Sequence, residues 1–579
     1  MRRTSIIARF RRLALALIAC LLFAVVAPLY FADRRSDEPF AISSVIASPQ
    51  DLQVITSPVR LSEAPDITLS RGVGYGSSGT GAGTSNIMLD GPVFALNAAG
   101  SRELTAVAGG QTEQDVIAPL MAQIMALNFD RLVIRRGTVH VTALDGSLET
   151  LTDIQAEITG RRKGQVSSRG AFTYRGQRLA FDATIGQPAD KKEPMRWPFK
   201  ASVKGSLLTA TFEGTIDVRE DLRLAGTAEL STTSLRRVGR WFGLPLHATE
   251  GFNATSVKGQ MTWARRSLAF EKVKVAVDGN EAQGRLALNL GGDRPQIDAT
   301  LDFAALDLMP YVDATRTQLF GFDLPSAAWS QFDVSLPMIR HVDADLRVSA
   351  RKVSFGKLQF GQGGATITAQ AGKLQADITE LELHGGTATA QVTAIMSEAV
   401  PRYAVRGKFE NLDAAAVSTQ LMGTPAITGR ATLAFELTST GYATQDVMRR
   451  LSGKTSLTLA EGSRIALDLK ALRESAKSGA ARRLAELGKG LAPIEQFEAR
   501  TLIIDGVAFA ESVQARLGGA ALSASGRVGI ADGNMEVRLL IKSPSADPAA
   551  KAGPVEVVTV RGPWQAPVVR GEDPDPFQR

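Results

Sequence analysis

The sequence predicts a mainly β protein with short helices, in which an N-terminal transmembrane helix leads into an elongated, repeated antiparallel β-sheet or β-groove. Three observations predict it. Apolar and polar residues alternate with period two in one segment after another, which gives each strand a single apolar face. Glycine is frequent, 54 in 579 residues, and Thr, Ala and Val dominate many stretches, a composition suited to many short strands and turns. One uncharged run near the N-terminus has the length of a membrane span.

Composition narrows the function classes. A chain of 579 residues that is 44% hydrophobic has room for several domains' worth of fold and is not wholesale disordered. The net charge of +7 is small for this length, and beyond the N-terminus Lys and Arg are scattered among acids, which argues against nucleic acid as a partner. Cys20, the single cysteine, sits in an apolar run, so neither an intrachain disulfide nor a cysteine-based zinc site can form.

Residues 1–12 carry Arg2, Arg3, Arg9, Arg11 and Arg12, and residues 13–31 form an uncharged run of 19 containing Leu13, Leu17, Leu21, Phe23, Val26 and Leu29. At about 1.5 Å per residue that run crosses a hydrocarbon core of roughly 30 Å. Arg34 and Arg35 follow it, but the excess of positive charge lies before it, so the N-terminus is expected in the cytoplasm and the bulk of the chain outside it. Leu17 to Cys20 fit a lipobox, yet the apolar run continues well past Cys20, which argues for an uncleaved anchor.

Residues 32–128 read as a linker. A strand is expected near residues 52–61, a flexible Gly-rich loop over 72–86, and an amphipathic helix over 112–127 with Val116, Leu120, Ile124 and Leu127 on one face. No strand and helix flank the glycines as a phosphate cradle requires.

Residues 129–382 read as repeated strands. FDRLVIRRGTVHV at 129–141 alternates on both sides of an expected turn at Arg136 and Gly137. Leu222, Leu224, Ala228 and Leu230 oppose Arg223, Thr227 and Glu229; Val273, Val275 and Val277 repeat the pattern; Ile297, Leu301 and Phe303 oppose Asp298, Thr300 and Asp302. Short helices are expected over 234–242 and 412–422, with a turn near 306–311.

Residues 383–579 continue the pattern around a compact unit at 429–469. Leu433, Phe435 and Leu437 alternate with polar residues up to Gly441. A short helix follows, with Thr444 as its expected cap, Asp446 in its first turn and Gly453 as its expected end. A second strand then leads through Gly462 to Ile465. Residues 470–489 are helical in composition without a clear apolar face. Strands are expected at 502–509, around Met535, Val537 and Leu539, and at 555–569.

The unit at 429–469 resembles the AsmA family, whose C-terminal region carries a strand ending in Gly, a short helix ending in Leu-x-Gly, and a strand ending in a Gly turn before Ile-x-x-Asp-Leu. FDRLVIRRGTVHV resembles a repeat of that family, LHGGT at 383–387 resembles its Leu-Tyr-Gly-Gly turn with His384 in the aromatic position, and the segment ending in GPWQAPVV resembles its Gly-x-Trp-x-x-Pro ending. The resemblance covers most of residues 129–569 and is strongest from 383 onward.

Nothing in the sequence is arranged for catalysis. His140, His247, His341 and His384 are far apart and share no ligand spacing, and Asp343 and Asp345 fall on one strand face beside Arg347. There is no Gly-x-Ser-x-Gly elbow and no Walker loop. No cofactor or metal is expected, and the protein is not expected to be an enzyme.

The resemblance implies an inner-membrane protein of a bacterium, with its bulk in the periplasm, that supports outer-membrane biogenesis. It further implies that phospholipid moves along an apolar β groove, with the inner membrane, acyl chains and outer-membrane or other envelope proteins as partners. The candidate groove residues are Leu222, Leu224, Leu230, Val275, Ile297, Leu301, Phe303, Leu433, Phe435, Leu437 and Val537. The alternative is a β-sandwich scaffold or assembly factor in the periplasm, whose apolar strand faces close against a second sheet and carry no lipid.

Overall fold

A computed structural model describes residues 53–55, 59–60, 67–78, 85–97, 131–142, 148–162, 165–187, 196–217, 223–242, 251–264, 267–290, 292, 294–311, 329, 333–356, 358–422, 424–488, 490–543, 555–564 and 566–572. Residues 13–31 and 112–127 lie outside them. Among the described residues no helix is long and apolar enough to cross a membrane. The chain is mainly β and folds as two compact units.

Unit 1 comprises residues 1–246, 252–279 and 283–298. Ile67–Ser78 pairs with Gln53–Ile55, with Val59–Arg60 and with Ser85–Asn97, all antiparallel. The next neighbour breaks the rule: Ser85–Asn97 runs parallel to Arg131–Thr142. From there an antiparallel meander continues through Leu148–Arg162, Gln165–Tyr174, Gln177–Ile185, Arg196–Gly205, Thr209–Asp217, Arg223–Thr232, Thr255–Ala264 and Ser267–Val277. The period-two pattern puts Leu132, Ile134, Ile158, Phe181, Trp197 and Val203 on the buried face. One short helix, α1 (Leu235–Trp241), follows the strand Arg223–Thr232; its N-cap is Ser234, whose hydroxyl accepts from the Arg237 N–H.

Unit 2 comprises residues 247–251, 280–282 and 299–579. Its meander runs, each strand antiparallel to the next, through Asp343–Ala350, Gly363–Gln370, Lys373–Leu383, Gly386–Ile395, Arg402–Asp413, Arg430–Thr440, Ser452–Leu459 and Ala492–Ile504. It continues through Val507–Leu517, Ala520–Gly529, Asn534–Lys542, Val555–Pro563 and Val568–Glu572. Helices α2 (Ala414–Met422), α3 (Thr444–Arg449), α4 (Leu469–Ser478) and α5 (Leu484–Leu487) interrupt it. The core gathers where α2, α4 and α5 meet the sheet, around Leu412, Leu459, Leu472, Leu487, Ile541 and Val558.

Several local expectations are corrected. Residues 72–78 and 85–86 are strand, not loop: the two register shifts of the ladder lie between Leu69 and Val73, and Gly74 and Gly76 pair in regular register with Leu89 and Ile87. Arg136 and Gly137 make no turn. Arg131–Thr142 continues through them: Gly137 pairs with Ile154, and Arg135 and Arg136 together oppose Gln155, Arg136 taking a φ of 51° in the bulge.

Ala443 is the N-cap of α3, without a side-chain hydrogen bond, and Thr444 is its first residue. Gly453 lies inside the strand Ser452–Leu459, opposite Leu437, because α3 has already stopped at Arg449. Residues 502–509 are the facing ends of two strands joined at Asp505 and Gly506, both at positive φ, as a two-residue hairpin turn demands.

Candidate functional site

In unit 1 the strand faces change character along the sheet. From Arg131–Thr142 to Thr209–Asp217 most inward residues are buried, whereas from Arg223–Thr232 onward Leu224, Val257, Met261, Val275 and Leu286 are only half-buried and Leu230 is 37% exposed. The uncovered apolar surface bounds a cavity of about 440 Å³ whose wall includes Phe199, Phe212, Met261, Trp263, Phe270 and Leu288. This volume falls in the ordinary range of ligand sites, roughly 300–1,000 Å³. Ser202, Thr211 and Glu229 are the polar residues on a wall that is otherwise apolar. The chemistry it offers is room for hydrocarbon and nothing that would fix a polar group.

Helix α1 closes one side of this cavity. Val238 and Phe242, four residues apart and on one helical face, line it. Trp241 holds the helix down: its Nε1 donates to the Arg175 carbonyl at 3.3 Å, and its ring meets Tyr174 edge-on at 5.7 Å. Tyr174 is fixed in turn by its hydroxyl, which donates to Glu149 at 3.1 Å.

In unit 2 the register aligns whole rows of apolar side chains across the sheet. Ala376, Val392, Val405 and Leu437 stand in one row, and Leu381, Ala388, Phe409, Leu433, Leu457 and Ala499 in another. Phe435 lies between them, its ring 6.1 Å from that of Phe409. Leu433, Phe435 and Leu437 are half-buried, as Val405 and Phe409 are.

Both margins of this face are covered. At one margin α2, α4 and α5 pack over Leu383, Leu412 and Leu459. At the other, the Ser439 hydroxyl donates to the Val447 carbonyl of α3 at 2.6 Å, and residues 333–342 pass across successive strand turns. Val334 N–H donates to the Tyr442 carbonyl at 2.8 Å, Leu336 N–H to the Met396 sulfur at 3.5 Å, and Gly372 N–H to the Ile339 carbonyl at 3.0 Å. The middle of the face is thereby left as a trough floor between two covered edges. Tyr403 stands at the second covered margin, opposite Ser439; its buried hydroxyl has no hydrogen-bond partner among the described residues, and burial pushes its pKa up to about 12.

The opposite face of unit 2 is polar. Asp377, Gln391, Arg406, Glu436 and Lys454 form one cross-strand row over an open basin of about 820 Å³. The hydrogen bonds that Gln375 and Gln391 donate to Asp377 hold its carboxyl below the usual range. Acids and bases alternate here, which is the pattern of a solvated face.

Among the sequence-predicted groove residues, Leu224, Leu230 and Ile297 line the cavity of unit 1, and Val275 stands opposite the lining residue Val257. In unit 2, Leu433, Phe435 and Leu437 share the trough floor, Val537 packs partly buried against the core, and Leu301 and Phe303 are half-buried. Leu222, the anchor residues and the N-terminal arginines lie outside the described residues. The alternation did not single out Phe199, Phe212, Trp263 and Phe270, although aromatic spacing within strands was there to be read.

The histidines do not converge. His140 Nδ1 lies 3.1 Å from the Thr150 hydroxyl, His384 Nε2 lies 2.5 Å from the Gln420 Oε1, His341 ends a 3-10 turn, and His247 lies outside the described residues. Asp343 and Asp345 do share a strand face with Arg347, as Thr368 and Thr366 on the next strand mark the polar side. Among the described residues no group of three or more His, Cys, Asp or Glu side chains is placed to hold a metal ion. No known family profile, curated protein or solved structure matches the chain.

Proposed function

We propose that this protein carries lipid acyl chains on its half-covered apolar strand faces, anchored in a bacterial inner membrane by residues 13–31 with its bulk in the periplasm, and that it serves outer-membrane biogenesis without being an enzyme. The carrying observation is the cavity of about 440 Å³ in unit 1, lined by Leu224, Leu230 and Ile297 and almost devoid of polar groups. An apolar surface of that kind in contact with water is unfavourable by roughly 25 cal/mol per Å² and calls for a cover. Hydrocarbon supplies that cover without needing a hydrogen-bond partner. The trough of unit 2, with Leu433, Phe435 and Leu437 on its floor, supports the same reading, as does the resemblance of residues 129–569 to the AsmA family.

The test is in-cell photo-crosslinking. A crosslinking residue at Leu224, Leu301 or Leu437 captures phospholipid, while one at Arg223 or Asp302, both exposed, does not. Capture at neither set by a folded protein would leave the sandwich scaffold as the better account.

A further inference from the structure

We propose that the arginine face of α1 docks the protein onto an anionic lipid surface beside the unit 1 cavity; this rests on the lipid-carrying reading and adds where the lipid bilayer is met. Helix α1 reads LRRVGRW. With Val238 and Phe242 turned to the cavity, a helical period of 3.6 residues directs Arg236, Arg237 and Arg240 to the opposite side. Arg237 and Arg240 are exposed and make no ion pair among the described residues. The first turn has no acidic residue, and the helix as a whole contains none.

Nearby acids are already engaged. Asp278 accepts from the backbone N–H groups of Phe252 and Asn253 at 2.5 and 2.8 Å, and Glu149 accepts from Arg175 and Tyr174. Arg236 is tied to the Asn253 side-chain oxygen at 2.7 Å. Arg237 and Arg240 are not what positions the helix, because Trp241, Val238, Phe242, the Ser234 cap and the Arg236–Asn253 bond do that. Their charge is therefore directed outward beside a hydrocarbon-lined space. A surface of acidic headgroups complements that charge and is the natural source of what the cavity would hold. Nucleic acid, the other polyanion, is disfavoured because the aromatic rings it would stack on are already engaged, Phe242 in the cavity wall and Trp241 against Tyr174.

The full chain, held in phosphatidylcholine nanodiscs, is mixed with vesicles and floated. It co-floats with vesicles of phosphatidylcholine and phosphatidylglycerol at low salt, with little recovery on phosphatidylcholine alone, and added salt weakens the association. At about fivefold per arginine, Arg237→Ala with Arg240→Ala weakens it about 25-fold, and Arg237→Lys with Arg240→Lys restores most of it. A fluorescent fatty acid still binds the alanine variant, which separates docking from lipid occupancy, and an unchanged melting profile shows that the unit is folded. Equal binding to both vesicle types, an unaffected alanine variant, or binding of duplex DNA in place of anionic vesicles would each overturn the docking proposal. Failure of the fatty acid to bind the unaltered protein would instead overturn the lipid-carrying reading.

Discussion

Arg473 Nε of α4 lies 2.9 Å from Glu556 Oε2 on the strand Val555–Pro563, and this pair seats the helix on the sheet. The Glu556 side chain is only 7% exposed, on the same strand face as Val558 and Val560. A carboxylate there is tolerable because α4 brings Arg473 and, at 3.5 Å, Lys477 to it. The same geometry defines the apolar side of residues 470–489: Leu472 and Ser475 are buried under the helix, and Asp468 caps it by accepting from the Ala471 N–H.

Removing Arg473 leaves Glu556 with the longer Lys477 contact alone. Arg473→Ala is expected to destabilise unit 2 by about 1–3 kcal/mol, a range kept below that of a fully buried pair because Arg473 is 35% exposed. Arg473→Lys loses less but not nothing, since a lysine cannot reproduce the second bond that Nη2 donates to Oε1 at 3.4 Å. Urea denaturation of the two variants and of Glu556→Ala checks this; a full-sized loss in each single variant that also adds in the double variant would mean that the two residues do not act as a pair.

Gly453 and Gly462 test two different demands on the backbone. A Cβ on Gly453, at φ +147°, would stand 2.0 Å from the Glu436 carbonyl oxygen on the neighbouring strand, so Gly453→Ala is expected to cost at least about 2 kcal/mol. Gly462 has φ +81° and open space around its would-be Cβ, so Gly462→Ala is expected to cost only the left-handed conformation, about 1 kcal/mol. Thermal melts rank them; equal losses would contradict the close approach at Gly453.

How much of the fold is legible in the sequence follows from what each signal physically encodes. Alternation reports which face of a strand is apolar, so the common face of Leu433, Phe435 and Leu437 was legible, and so was α1 from Ser234 and its following pattern. Alternation does not report what lies over that face. The full burial of Phe181 and Trp197 and the half-burial of Leu224 and Met261 arise from the same local pattern, and they differ because of packing that is remote in sequence. Single-residue irregularities were the other blind spot. Arg136 and Gly137 look like a turn because glycine serves bulges and turns alike, whereas Asp505 and Gly506 are a turn that the sequence does encode, Asp-Gly between two apolar segments being a hairpin signature that a single strand over 502–509 reads through.

Tyr403 supplies a pH signature. Its folded pKa, pushed up by burial and by the nearby charges of Asp333 and Tyr442, is about 12 against an ordinary 10.0. The folded state thus holds the phenolic proton more tightly than the unfolded state does. The resulting stability is fully present below pH 10 and is lost as pH rises from 10 through 12. Tyr403→Phe removes that dependence and gives up no hydrogen bond, since the hydroxyl has no partner among the described residues. Denaturation midpoints of both proteins across this interval measure the difference; parallel curves would show that Tyr403 titrates normally.

Filling the unit 1 cavity separates its use from its fold. Ala228 lines the cavity at 8% exposure, on the strand Arg223–Thr232 and opposite Phe212 and Gly259. A larger side chain inserted into a well-packed core costs about 1–3 kcal/mol because neighbours must shift, but at Ala228 the added ring has the cavity of about 440 Å³ to enter. Ala228→Phe is therefore expected to keep the melting temperature and circular dichroism of the unaltered protein while binding of a fluorescent fatty acid falls sharply. Ala183 is the control: it is 2% exposed on the fully buried part of the same unit, so Ala183→Phe must overpack and should lower the melting temperature. If Ala228→Phe unfolds the unit as Ala183→Phe does, the space beside Ala228 is not available to a chain. If it folds and still binds the fatty acid with unchanged affinity, acyl chains are held elsewhere, and the trough floor at Leu433, Phe435 and Leu437 becomes the place to look.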